Sequence, residues 1–257
     1  MPLPDLDPTR RFSDRTDDYV RFRPDYPAEA IDSVLETCPD PVRWAVADIG
    51  AGTGISARLL GDRGVHVFAV EPNAEMRSAA ESHPNVEWIA GTGEDTGLRQ
   101  GSVDLVLCAQ AFHWLRQAEA IVEFHRILRP GGRLAIVWNR RDREDPLTRG
   151  YIEAIHEVNG EHPAERRDFD PDVVRGDGRF GPPRLRSFPH VQSLDRSGLV
   201  GRARSASYVP KEGPGWERLV RLLDDLYETY KDAKGRVILR YRTEVWTSEA
   251  QPYDDRA

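Results

Sequence analysis

The stretch Trp44-Ala-Val-Ala-Asp-Ile-Gly-Ala-Gly-Thr-Gly54 decides how this chain is read. Its first half, Trp44 to Ile49, is short and mostly apolar, the pattern of a strand buried on both faces. Its second half carries glycine at 50, 52 and 54. Glycine tolerates left-handed backbone angles and lets main chain approach a ligand closely. Directly after it, Ile55 to Leu60 reads as a helix stopped by Gly61 and Gly64. Strand, glycine turn and helix in that order place the turn at the carboxyl edge of a sheet, where open α/β folds bind ligands.

The same alternation continues outward. His66 to Val70 is a second strand, and Asn73 is placed to cap a helix running to about Ser82. Val86 to Ala90 and Val103 to Cys108 are further strands. Ile121, Phe124, Ile127 and Leu128 mark one face of a helix that Pro130-Gly131-Gly132 ends, and Arg133 to Trp138 is a fifth strand. Short apolar strands alternating with helices form a parallel sheet covered on both faces. After about residue 140 the pattern changes. Leu147 to Val158 is helical, whereas the charged stretch from Glu161 to Asp177 reads as a mobile surface loop. Leu185 to Leu194 and Arg236 to Trp246 read as strands, with Trp216 to Tyr230 helical between them. Upstream, Ala28 to Thr37 is helical. No composition shift marks a linker, so residues 1–257 read as one domain. Its lid elements are an N-terminal segment, about 1–40, and a helical insertion, about 195–234.

Composition narrows the function. A net charge of −7 argues against a nucleic-acid partner, since phosphate binding needs a basic face. No apolar run approaches the roughly 20 residues of a membrane helix. The start is acidic and proline-rich, unlike a secretory signal, so the expected location is the cytoplasm. Cys38 and Cys108 are too far apart for a metal motif, the histidines are scattered, and no metal is implied.

The choice of cofactor turns on a few residues. A dinucleotide fingerprint, G-x-G-x-x-G counted from Gly50, needs glycine at 55, and position 55 is Ile. Asp48 precedes the loop. A carboxylate there would repel a pyrophosphate but suit a cationic cofactor. Glu71 ends the second strand and can accept hydrogen bonds from ribose hydroxyls.

From these residues outward, 46 to 138 resembles the core of class I methyltransferases that use S-adenosylmethionine (SAM). The likeness is to the small-molecule branch that includes trans-aconitate methyltransferase. Val46 to Gly54 resembles that family's first motif, and Val70-Glu71-Pro72 its second. Gly91-Thr-Gly-Glu94 resembles its adenine-binding turn, Asp104 to Trp114 its fourth motif, and Leu128 to Leu134 its turn into strand five. The resemblance implies a Rossmann-like, doubly wound, seven-stranded, mostly parallel sheet with an antiparallel C-terminal hairpin. It implies a methyl transferase of the EC 2.1.1 class acting on a small-molecule acceptor.

The resemblance also implies a site. Asp48, Gly50, Ala51, Gly52 and Thr53 would form the cradle for the methionine portion, and Glu71 would hold the ribose. Pro72 and Met76 would pack near adenine, with Gly93 and Glu94 reading its edge. Ala109 and Gln110 would lie by the methionine amine and the transferring methyl, and Arg23 would pair with the methionine carboxylate. Relatives often carry Ala at position 93, so a looser adenine floor is expected here. Tyr19, Tyr26, His113 and Trp114 would face the acceptor, with His113 as the candidate base. Two other readings stand beside this one. The first is a SAM-binding protein of the same fold without transfer activity. The second is an NAD(P)-dependent oxidoreductase, which the Ile at 55 opposes.

Overall fold

The computed structural model describes residues 21–160, 169–206 and 208–252. Among these, seven strands form one sheet in the order β3-β2-β1-β4-β5-β7-β6. The strands are β1 (Ala45–Ile49), β2 (His66–Val70), β3 (Val86–Ile89), β4 (Val103–Ala109), β5 (Leu128–Arg141), β6 (Arg184–Leu194) and β7 (Val237–Glu249). The first five are parallel, and β7 runs antiparallel between β5 and β6. This is the expected Rossmann-like sheet with its C-terminal hairpin. The strand order reverses at β1, so the β1 and β4 ends flank the switch point where such sheets bind ligands.

Alternating side chains of one strand feed two cores. Val106, Cys108, Leu134, Ile136 and Trp138 join Ala47 and Ile49 on one face, against Ile121, Phe124 and Ile127 of α4 (Gln117–Ile127). Val46, Leu105, Leu107, Ala135 and Val137 point the other way. There they meet α1 (Ala28–Val34) and α2 (Ile55–Gly61) through Ile31, Val34, Ala57 and Leu60. A slip of one residue in any of these strands would exchange the two sets, so register is strongly specified.

A third core sits on the β6–β7 hairpin. It joins α5 (Pro146–Asn159), α7 (Arg196–Arg204) and α8 (Gly213–Tyr230) through Tyr151, Ile155, Leu199, Ala203, Leu219 and Leu223, with Leu239 and Tyr241 of β7.

Three local expectations change. The helix α3 is capped by the Asn73 side chain as expected, but it spans only Ala74–Ser78. Pro130-Gly131-Gly132 lies within β5 and does not separate it from α4. The register jumps from Val103↔Leu128 to Leu105↔Arg133, and Gly131 takes a left-handed φ of 77° to absorb the surplus residues. The stretch after residue 168 also contains a helix, α6 (Pro171–Asp177), capped by the Asp170 carboxylate with Pro171 at its first turn. Residues 161–168 of the expected loop lie outside the described residues. No helix among the described residues is long and apolar enough to cross a membrane.

Candidate functional site

The glycine turn leaves β1 under tight steric control. Gly50, Gly52 and Gly54 all have left-handed backbone, with φ of 67°, 59° and 79°. A Cβ on Gly50 would lie 2.6 Å from the Ala111 Cβ. The turn after β1 therefore touches the turn after β4, with no room for a side chain between them. The amides of Gly50 and Ala51 both donate to the Val70 carbonyl, which ties the turn to the end of β2. The Thr53 hydroxyl is buried with no hydrogen-bond partner.

Two carboxyl groups stand at this turn in different roles. Glu71 accepts from the Gly52 amide through Oε2 and from the Asn73 amide through Oε1, each at 2.9 Å. Burial raises its pKa, while these backbone bonds oppose the shift. Asp48 is wholly enclosed and accepts from the Ser56 hydroxyl of α2 at 2.7 Å. Burial lifts its pKa to about 7, and the nearby Glu71 charge adds to the rise. Asp48 is thus packed between β1 and the first turn of α2, while Glu71 carries the negative charge at the glycine turn itself.

Beyond β4 the backbone is strained. Gln110 is the one non-glycine residue among those described with left-handed φ, at 58°. Such strain persists only where the surroundings impose it, and it concentrates at functional sites. Here the Gln110 amide donates to the Val137 carbonyl at 2.9 Å, and its side-chain nitrogen reaches the Asn139 carbonyl at 3.4 Å. Ala109 precedes it as the last residue of β4. The next residues form a short 3-10 turn, Phe112–Trp114. It seats the His113 ring 4.7 Å from the Trp114 ring and 5.0 Å from that of Trp138. Trp114 is buried.

Asn139 links this region to the N-terminal segment. Its amide nitrogen donates to the Asp25 carbonyl, and its oxygen accepts from the Thr243 hydroxyl at 2.6 Å. Residues 23–27 therefore cross near the carboxyl end of β5. Tyr26 is buried in the core cluster that holds Ala51. Arg23 donates to the Ser205 carbonyl at 3.2 Å, which docks the segment on the end of α7. Tyr19 lies outside the described residues.

The turn after β3 is built around contacts with α4. A Cβ on Gly93 would fall 2.6 Å from Leu115 Cδ1, so Leu115 fills the space that a methyl group would take. The looseness expected at Gly93 is absent, because the Leu115 side chain occupies the gap. Glu94 accepts from the Arg116 amide at 2.7 Å. Buried Glu123 accepts from the Thr96 amide and hydroxyl, pinning the following residues to α4. Pro72 and buried Met76 sit beyond Glu71, at the start of α3.

Comparison with known proteins agrees with this geometry. The model of the family described as "Methyltransferase domain" matches residues 47–136. An uncharacterized methyltransferase-like protein of Schizosaccharomyces pombe is 31% identical over 246 residues, covering 91% of this chain and 93% of that protein. The chain belongs to the methyltransferase family.

An uncharacterized methyltransferase of Mycobacterium tuberculosis is 44% identical over 154 residues. That match covers 60% of this chain and 58% of the mycobacterial protein's length. A Saccharomyces cerevisiae protein described as a "probable S-adenosylmethionine-dependent methyltransferase" is 30% identical over 125 residues, 46% of this chain and 43% of that one. The fold matches Haemonchus contortus phosphoethanolamine N-methyltransferase 2, a structure containing S-adenosylhomocysteine, with a TM-score of 0.54 and 15% identity. The match covers 96% of this chain and 59% of that one.

In this methyltransferase-family chain, the structure brings Gly50, Ala51, Gly52, Glu71, Ala109 and Gln110 to adjoining strand ends at the switch point. It sets Asp48 behind them in a closed position. Sequence reasoning missed Asn139, the residue that joins Gln110, Thr243 and the N-terminal segment. An asparagine just past an apolar strand core carries little signal by itself. No group of three or more metal-ligating side chains occurs among the described residues.

Proposed function

We propose that this chain transfers a methyl group from SAM to a small-molecule acceptor at the ends of β1, β2 and β4. The observation that carries the reading is the Glu71 carboxylate on the Gly52 amide. In a dinucleotide site, the loop amides face a pyrophosphate. Here a carboxylate already takes that amide, and a phosphate brought beside it would be repelled. A nucleoside with a cationic arm meets no such barrier.

The residues present fit such a cofactor. Glu71 has lone pairs to spare for ribose hydroxyls, and the buried Thr53 hydroxyl has hydrogen-bonding capacity to spare. The turn Gly50-Ala51-Gly52 and Ala109, which carry no bulky side chain, border the amino-acid arm, with the Gly50, Ala51 and Gly52 amides held by Val70 and Glu71. Pro72, Met76, Gly93 and Glu94 border the adenine side. Arg23 reaches the same end of the sheet and supplies a guanidinium for a carboxylate.

The bound cofactor supplies a methyl group on a sulfonium, already activated for in-line displacement. The chain's contribution is then orientation, which can remove on the order of 7–11 kcal/mol of barrier. The strained Gln110 and its tie to Asn139 fix the turn facing the acceptor. Buried Tyr26 and Trp114 exclude water, and a water-poor site favours a step in which charge is neutralised. His113, between two indole rings, takes the proton of an acceptor that must lose one.

Residues 195–234, with the N-terminal segment, serve as the lid within a single domain. A net charge of −7 supports a cytoplasmic setting and a partner that is neither nucleic acid nor membrane. Incubation with methyl-labelled SAM and a panel of small acids, amines and phenols tests the reading. Label should pass to at least one class of acceptor. Labelled SAM that binds but yields no product with any class would contradict it.

A further inference from the structure

Beyond Asn139, β5 and β7 carry a second polar group that the cofactor does not require. Arg141 pairs in register with Tyr241, one pleat period past the Asn139–Thr243 pair. The Arg141 guanidinium lies 5.0 Å over the Tyr151 ring and reaches the Tyr208 hydroxyl at 3.4 Å. From α7, Arg202 enters the same cluster. It donates to the Tyr241 hydroxyl at 3.3 Å and to the Ser205 hydroxyl at 3.2 Å.

Two features of this cluster are costly to bury. Arg202 is only 4% exposed, and both of its hydrogen-bond acceptors are neutral hydroxyls. Among the described residues, no carboxylate lies within ion-pair distance of it. A buried guanidinium without a counter-charge is strongly disfavoured. The Tyr151 hydroxyl beside it is fully buried with no hydrogen-bond partner, and burial pushes its pKa up to about 12. It is therefore a neutral donor with nothing to donate to. Stable folds rarely leave either group unsatisfied.

We propose that Arg202, Tyr151 and Arg141 form an anion subsite that holds a carboxylate of the methyl acceptor. The subsite lies about two residues along β5 from the Gln110–Asn139 contact, roughly 7 Å at strand spacing. An acceptor anchored there by its carboxylate would extend toward the strained turn after β4. A single charge between two guanidiniums, walled by tyrosine rings, is less costly to bury than a phosphate dianion. The fork of a guanidinium matches the two oxygens of a carboxylate. This assignment rests on the reading of the chain as a methyltransferase, and its test is separate.

The full chain is titrated calorimetrically with benzoate, hexanoate and glutarate, each against its own amide, and with orthophosphate. The titrations are run with and without saturating S-adenosylhomocysteine. At least one acid should bind tenfold or more tightly than its amide and than orthophosphate. Arg202→Met should lose that binding at least tenfold, with S-adenosylhomocysteine affinity unchanged within twofold. Tyr151→Phe covers the case in which Arg202→Met fails to fold. It should raise the melting temperature, by removing an unsatisfied hydroxyl, yet weaken acid binding about threefold. A purely structural tyrosine would show only the first effect. Equal acid binding in wild type and Tyr151→Phe, no acid bound by the wild type, or a preference for orthophosphate would each overturn the subsite. Failure of the wild type to bind S-adenosylhomocysteine would instead strike the cofactor assignment, while the acid titrations would still judge the subsite.

Discussion

The carboxylate of Glu71 holds the Gly52 amide at 2.9 Å, joining the end of β2 to the middle of the glycine turn. The same side chain takes the Asn73 amide, so one buried group sets both the cradle and the start of α3. Replacing it removes charge-assisted bonds, each worth about 1.5–3 kcal/mol. Glu71→Ala is expected to weaken SAM binding by roughly 10- to 150-fold, measured by calorimetry. Unchanged affinity would contradict the ribose role.

Asp48 gives a pH signature of stability. Its pKa is about 7 in the fold, above the roughly 3.9 of an unfolded aspartate. Below pH 4 both states are protonated and the group costs nothing. As pH rises toward 7, the unfolded chain releases a proton that the folded chain retains, so stability falls; above 7 the penalty is constant. Asp48→Asn can still accept from Ser56 and never ionises. It should match wild type near pH 4 and exceed it at pH 8 by up to a few kcal/mol, read from urea denaturation at each pH. A variant whose difference from wild type does not change with pH would refute the enclosed, elevated carboxyl.

At Gly50 two penalties combine, a left-handed φ and contact with Ala111. Gly50→Ala should destabilise the chain by about 2–4 kcal/mol. Adding Ala111→Gly should recover the steric part and leave the backbone part. If the double variant is no more stable than the single one, the two turns do not touch as described.

Gln110→Gly separates strain from function. Glycine accepts the left-handed φ freely, so the variant should gain up to about 1 kcal/mol of stability. It also loses the contact with the Asn139 carbonyl and should lower kcat/KM for methyl transfer. A loss of stability on thermal denaturation would show that the conformation is not strained.

Much of the sheet was legible because periodicity reports burial directly. Val46, Leu105 and Val137 face one core while Ala47, Val106 and Ile136 face the other, and continuous apolar runs announce such strands. The glycine turn and Glu71 were legible from spacing. Asp48 was legible as a residue but not in its role, since a sequence does not show that Ser56 would turn the carboxyl inward. The Pro130-Gly131-Gly132 bulge read as a break, because local turn residues look alike within a strand and between elements. The short helix at Pro171 had a signal in the Asp170-Pro171 pair, masked by the surrounding charge. Arg202 and Tyr151 had none: they meet only when three helices and a hairpin close around them.

Calorimetric titration of the full chain with SAM, and separately with NADH, tests most directly whether the glycine turn receives a cationic nucleoside and excludes a pyrophosphate. Saturable one-to-one binding of SAM, weakened roughly 10- to 150-fold in Glu71→Ala, with no heat from NADH, is the expected result. NADH binding at this turn in a chain indifferent to SAM would contradict it.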